Sequence, residues 1–183
     1  SNDGTLINQV TFNSTGCIYG NCYTFDGVND YINISHHSEF AFANNSFTVA
    51  GWFNTDNILL ETGAMGKYDQ FTNHHWQILF GYSPNKISFY LRGGGGSTPH
   101  VISGSNFNSN TWYYVVLVVD QPSEARLYVN GNLEATISID GIGSLSAPSD
   151  LGIGRPFPTA QPQNYFNGKI DEVGIWNRAL SQN

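Results

Sequence analysis

The sequence has few charged residues, and positive charge is especially scarce. Only 11% of its 183 residues are charged, with seven Lys and Arg against 14 Asp and Glu, so the net charge is -7. A run or patch of basic residues is the mark of a nucleic-acid-binding surface, and no such run is present. Nucleic acid is therefore not a predicted partner.

Long hydrophobic runs are also missing. No stretch reaches the roughly 18 apolar residues that a membrane-spanning helix needs, so membrane insertion is not predicted. Strong helix formers such as Lys, Glu and Ala are few, whereas aromatic residues make up 14% of the chain. This composition favours β structure. The length suits one domain, which we predict to span residues 1–183.

Cysteine is limited to two residues, Cys17 and Cys22, in the segment "GCIYGNC". The pair flanks Gly20 and Asn21 and could close a short hairpin as a disulfide, although two separate thiols are the alternative. A disulfide would imply an oxidising compartment. Two cysteines cannot form a zinc site without further ligands.

Short strand-like runs recur between Gly, Asn, Pro and Ser clusters, which predicts an all-β, antiparallel β-sandwich of the jelly-roll type. Alternation is clearest in "KISFYLR", where Ile87, Phe89 and Leu91 should face the core, and Tyr90 and Arg92 should face away from it. The segment "YYVVLVVD" is apolar on both faces and predicts a central strand. Asn-Gly in "RLYVNGNLEA" predicts a tight hairpin, because both turn residues need positive φ.

Several segments together resemble the laminin-G-like, concanavalin A-like lectin domains of bacterial and archaeal surface proteins. They are "FDGVNDYINI", "FTVAGWF", "WYYVVLVVD", "RLYVNG", "LGIG" and "FNGKIDEVGIWNRALS". The resemblance implies two antiparallel sheets of about six or seven strands each, one of them concave, in an extracellular or cell-surface protein. The strand that usually opens such domains, ahead of "NDGTL", is not found. Another segment could supply that strand, or an uncovered sheet edge could pair with another chain.

The same resemblance implies a structural calcium ion. The Asp of "FDG" corresponds to Asp26 and the Asp of "KIDEV" to Asp171, with Asn29 and Asp30 as further ligands. Calcium takes six to eight oxygen ligands, which carboxylates, amides and backbone carbonyls supply. The residues themselves leave another interpretation open, in which Asp-Gly forms a turn and Asp171 accepts hydrogen bonds from backbone amides.

Candidate ligand-binding residues are aromatic or hydrogen-bonding side chains in loops and on the outward side of strands. Aromatic rings pack against the apolar faces of sugars, while polar groups match their hydroxyls. The candidates from "KISFYLR", "KYDQFTNHHW" and "RPFPTAQPQNY" are Tyr90, Arg92, Tyr68, Asp69, His74, His75, Trp76, Arg155, Gln163 and Tyr165. Trp76 could equally begin a strand and pack inside. We interpret Trp52, Trp112 and Trp176 as core residues.

No catalytic motif is found. GxSxG and HExxH are absent, and so is the ExDxxE spacing of glycosidases on concanavalin-like folds. The sequence therefore predicts a non-catalytic, calcium-stabilised carbohydrate-binding module, displayed outside the cell as part of a larger or assembled surface protein. The alternatives are a protein–protein adhesion or filament-building module and, third, an enzyme.

Overall fold

A computed structural model describes residues 3–69, 74–155 and 165–181. Fourteen strands and one 3-10 turn, Ser38–Phe40, make up the regular structure of these residues. The strands are β1 Thr5–Ile7, β2 Thr11–Asn13, β3 Cys22–Asp26, β4 Tyr31–Ile34, β5 Phe47–Thr55, β6 Thr62–Tyr68, β7 His75–Phe80, β8 Ile87–Arg92, β9 His100–Ile102, β10 Tyr113–Asp120, β11 Glu124–Val129, β12 Asn132–Ser138, β13 Leu151–Ile153 and β14 Asn167–Trp176. Within the described ranges, no helix is long and apolar enough to cross a bilayer.

The strands form two sheets of seven. The first sheet has the order β1-β4-β13-β6-β7-β8-β9, and the second has the order β12-β11-β10-β5-β14-β3-β2. Every pairing between named strands is antiparallel. The predicted all-β, two-sheet jelly-roll sandwich is therefore confirmed.

The core lies between the two inner faces and follows the alternation of the strands. Ile87, Phe89 and Leu91 are completely buried, as predicted, and Leu127 and Val129 face the same core. The first sheet meets the second through large rings: the ring centroids of Phe53 and Phe80 are 5.6 Å apart. Such residues strongly favour one register, because a slip of one residue would turn them all to solvent.

Trp76 follows the alternative that the sequence left open, in which it packs inside. Trp76 is 1% exposed and packs against Phe42 and Phe47 in the core. It faces inward because its strand neighbours His75 and Gln77 take the opposite side. Trp76 is therefore not available as a ligand-binding residue, and that prediction was wrong.

The other three tryptophans do not belong to the core. Trp52 and Trp112 are half-buried, and Trp176 is 36% exposed. Trp52 alternates with Phe53, which is completely buried, so its ring leaves the second sheet on the side away from the core. The prediction that these three residues pack inside was wrong.

Two predicted local features are confirmed. Asn130 and Gly131 have φ values of 50° and 80° in the turn between β11 and β12. Cys17 and Cys22 form a disulfide with a Cα–Cα distance of 5.4 Å. The bridge closes a short loop immediately before β3.

Candidate binding faces

The oxygen-rich turn between β3 and β4 uses its carboxylates on its own backbone. Asp26 Oδ1 accepts hydrogen bonds from the amides of Val28 (2.8 Å) and Asn29 (3.2 Å). Asp30, which is 2% exposed, accepts from the amides of Gln9 (2.8 Å) and Asp26 (3.2 Å). These bonds stabilise a tight turn at Gly27 without requiring a cation.

Asp171 also accepts hydrogen bonds from amides, in a different part of the structure. Its Oδ2 accepts from Ile18 (3.1 Å) and Tyr19 (3.0 Å), and its Oδ1 accepts from Glu172 (2.9 Å). The bonds from Ile18 and Tyr19 join the disulfide loop to β14, whereas the bond from Glu172 lies within β14. Asp171 is 6% exposed, so this is a largely desolvated carboxylate held by backbone N–H groups.

The strand register separates Asp26 from Asp171. Asn167 of β14 pairs with Asp26, and Ile170 pairs with Tyr23, so Asp171 lies four residues beyond the partner of Asp26. At about 3.3 Å per residue, this is roughly 13 Å along the strand. The four residues predicted to share one calcium ion do not converge. The described parts of the chain also contain no group of three or more His, Cys, Asp or Glu side chains placed to hold a metal. The donor set does not fit one ion, and calcium binding as such stays a prediction.

A row of rings crosses the outward face of the first sheet, from β6 to β9. Centroid distances are 5.3 Å for Tyr68–His75, 4.8 Å for His75–Tyr90 and 5.2 Å for Tyr90–His100. Tyr82 extends the row, with its ring 4.1 Å from that of His100. The row forms because Tyr68 pairs with His75 and Tyr90 pairs with His100. His75 and Tyr90 are diagonal neighbours on β7 and β8, where their pairing partners are Arg92 and Gln77. We call it the ring row.

Polar side chains lie beneath the ring row on the same face. Gln77 is 2% exposed and Ser88 is completely buried. Within the described residues, Gln77 Oε1, Ser88 Oγ and His100 Nε2 have no hydrogen-bond partner. Burial lowers the pKa of His100, so its imidazole is neutral at physiological pH. The face therefore combines aromatic surface with buried polar atoms beneath it that have no partner within the described residues.

The remaining predicted ligand residues fall into two places. Tyr90 and Arg92 lie on the outward side of β8, as predicted, and Arg92 pairs in register with His75. His74 comes just before β7, where its Nδ1 donates to the carbonyl of Ser146 at 2.9 Å. The structure thus brings Tyr90, Arg92 and His74 to the region where β7 and β8 meet.

Arg155 and Tyr165 form a separate cluster with Tyr31. The guanidinium of Arg155 lies 4.9 Å from the ring centroid of Tyr31 and 5.5 Å from that of Tyr165. This is a cation–π arrangement in which the cation already has two aromatic partners. Gln163 lies outside the described residues.

A buried lysine is a feature that the sequence did not predict. Lys67 is completely buried, with its Nζ 3.0 Å from Nδ1 of His36. Burial lowers the pKa of Lys67 to about 8, although the charge of Asp150 opposes that shift. Asp150 accepts from the amide of His36 at 2.8 Å, which completes a compact polar cluster at one end of the first sheet.

Together, the two antiparallel seven-stranded sheets define a concanavalin A-like jelly-roll sandwich. The chain belongs to the concanavalin A-like lectin/glucanases superfamily, whose family model matches residues 26–183. This confirms the resemblance found in the sequence. A search of curated proteins gave no significant match.

Solved structures with the same fold include bacterial toxin domains. The binding domain of Paraclostridial Mosquitocidal Protein 1 superimposes with a TM-score of 0.80 at 16% identity, over 99% of this chain and 45% of that one. The binding domain of botulinum neurotoxin serotype G gives 0.76 at 14% identity, over 99% and 45%. The receptor binding domain of botulinum neurotoxin D gives 0.75 at 16% identity, over 98% and 45%. At these identities the likeness shows the fold alone, and this chain spans less than half the length of those domains.

Proposed function

We propose that the chain is a non-catalytic carbohydrate-binding module and that the ring row forms its glycan-binding face. The observation that carries the proposal is the coincidence of a continuous row of contacting rings with polar atoms that have no partner in the described structure. Aromatic surface can pack against the apolar side of a pyranose, while the buried polar atoms of Gln77, Ser88 and His100 can bond to a sugar hydroxyl once the side chains above them shift aside.

Access to this face comes through its less buried side chains. Tyr90, Arg92 and His100 are half-buried, and Tyr82 is 48% exposed. These residues would contact the sugar first, and Gln77 would define its orientation from below. A concave or grooved surface with a few fixed polar groups is the usual form of a small-ligand site.

The names of the compared structures provide an analogy for a binding role. One is described as a receptor binding domain and two as binding domains, each more than twice as long as this chain. By analogy, we propose that this chain acts outside the cell as one part of a larger protein. The Cys17–Cys22 disulfide supports an oxidising location.

The position of Glu61 supports the non-catalytic part of the proposal. Glycosidases need two carboxyl groups about 5–10 Å apart, one of which is a general acid with a raised pKa. Burial raises the pKa of Glu61, which is the direction a general acid needs. Glu61 precedes β6 and is not one of the side chains of the ring row. Glycans retained by this protein should therefore be recovered uncut.

The glycan array gives the first test. We expect the protein to retain a defined group of glycans, and Tyr90→Ala to lower the affinity for the strongest of them about tenfold, since a central aromatic anchor contributes about 1.4 kcal/mol or more. Phe12→Ala is the matched control, because Phe12 is 57% exposed on the edge strand β2 of the other sheet. Equal binding by Tyr90→Ala and wild type, or silence of the folded wild type across the array, would contradict the proposal and favour the adhesion function.

A further inference from the structure

The outward face of the second sheet carries its own aromatic surface. Trp52 of β5 pairs in register with Tyr114 of β10, and their ring centroids are 5.3 Å apart. Trp176 of β14 lies on the same face. A Cβ atom on Gly174 would be only 2.6 Å from Cη2 of Trp176, so the indole lies flat against the strand at that glycine. One face of this ring is thereby presented outward.

The disulfide loop places a further ring beside this surface. Three attachments hold the loop of residues 17–22. They are the disulfide itself, the hydrogen bonds from the amides of Ile18 and Tyr19 to Asp171, and, at the adjoining Gly16, a hydrogen bond of 3.0 Å from Trp112 Nε1 to the carbonyl. The loop nevertheless exposes 75% of Tyr19 to solvent. A loop that is held this firmly while presenting an exposed aromatic side chain has the character of a binding element.

A bulge in β14 adds a carboxylate at the same place. The register shifts between Asp171 and Gly174, and Glu172 within the bulge has a φ of 48°. Non-glycine residues with such backbone angles are strained and concentrate at functional sites. The Glu172 carboxylate has no hydrogen bond or ion pair within the described residues, so it is available to a ligand.

These groups line two adjacent depressions. The first, of about 510 Å³, is bordered by Tyr19, Trp52 and Glu172. The second, of about 260 Å³, is bordered by apolar side chains such as Val116 and Val118. Tyr114 and Trp176 border both depressions and separate them. A ligand that filled both depressions would therefore need a polar group for the first, an apolar group for the second, and a flat surface to lie against the rings of Tyr114 and Trp176.

We infer that this groove is a second carbohydrate site, specific for uncharged oligosaccharides that carry N-acetyl groups. The apolar face of a pyranose covers Trp176, the acetamido methyl group enters the depression at Val116 and Val118, and hydroxyl or amide N–H groups donate to Glu172. Acidic glycans are disfavoured, because neither depression is bordered by Lys or Arg among the described residues. The net charge of -7 adds to that repulsion.

The second site does not depend on the ring row, which lies on the other sheet. Failure of one site therefore leaves the other testable. Tyr90→Ala should leave binding in the groove unchanged, and Trp176→Ala should leave binding at the ring row unchanged.

Fluorescence of the exposed tryptophans gives a direct assay. The full chain is titrated with N-acetylchitotetraose, with cellotetraose, which has the same backbone without acetamido groups, and with sialyllactose, which is acidic. We expect saturable quenching by N-acetylchitotetraose, at least tenfold weaker binding of the other two sugars, and a loss of about tenfold in Trp176→Ala measured by calorimetry. Glu172→Gln should weaken binding less than Trp176→Ala, because an amide oxygen still accepts.

Gly174→Ala is a second variant, in which the new methyl group displaces the indole while every ring remains present. It should weaken binding as Trp176→Ala does. The inference is overturned by unchanged affinity in Trp176→Ala and Gly174→Ala, by absence of binding to all three sugars, or by preference for sialyllactose. It is also overturned if sedimentation shows that Trp176 is covered by self-association of the chain.

Discussion

Asp171→Ala is expected to lower the free energy of unfolding by about 3 kcal/mol, and by the same amount in calcium and in chelator. The carboxylate accepts three backbone N–H bonds and is nearly buried. Hydrogen bonds to a charged acceptor contribute about 1.5–3 kcal/mol each, and their losses are not additive here because the loop can relax. The free energy is measured by urea unfolding, with Cys17–Cys22 intact in every sample.

Two controls separate the hydrogen-bonding role from a metal role. Asp171→Asn keeps one accepting oxygen and should destabilise less than Asp171→Ala. Asp26→Ala removes only the bonds of an exposed turn, which predicts a loss of about 1 kcal/mol. A loss in either alanine variant that occurs in calcium buffer and vanishes in chelator would show instead that the carboxylate acts through the ion.

The second large effect is a dependence of stability on pH in the alkaline range. Burial lowers the pKa of Lys67 to about 8 from its usual 10.5. Between these values the unfolded chain binds a proton that the folded chain has released, so the free energy of unfolding rises with pH. A shift of this size corresponds to about 3 kcal/mol, gained as the pH is raised from below 8 to above 10.5.

The variant Lys67→Met isolates that contribution. Methionine fills a similar volume without a charge, so the variant should be more stable than wild type below pH 8, and the difference should shrink as the pH rises. Lys86→Met is the control, since Lys86 donates to the carbonyls of Gly104 and Ser105 at the surface. Urea unfolding at intervals between pH 7 and 10.5 measures the slopes. Parallel curves for wild type and Lys67→Met would contradict the assignment.

The fold could be predicted because the sandwich is encoded locally. Alternation in "KISFYLR" gives the inward positions of β8, and Asn130-Gly131 gives a hairpin whose two residues need positive φ. The same alternation rule also predicts which side of the sheet two of the tryptophans face. Trp76 lies between polar His75 and Gln77, which indicates that it faces inward, and Trp52 alternates with the buried Phe53.

The sites could be predicted only in part, because they depend on register between distant segments. Alternation within β8 predicts that Tyr90 faces outward. Its ring partners His75 and His100 come from neighbouring strands, so the alternation does not predict their contact with Tyr90. The four-residue offset between Asp26 and Asp171 is likewise a matter of pairing that no local pattern reveals. Lys67 gives no signal at all, since lysine in a strand normally marks a solvent-facing position.

Amide NMR spectra of the chain, recorded during titration with the glycan that it retains most strongly on the array, test the central claim most directly. We predict that the largest shift changes fall on residues 75–77, 88–92 and 100–102, which carry His75, Tyr90 and His100 of the ring row, with smaller changes on β10 and β14. Changes confined to strand edges or loops remote from both sheets' aromatic faces, or no change at saturating glycan, would contradict a carbohydrate-binding role for this surface.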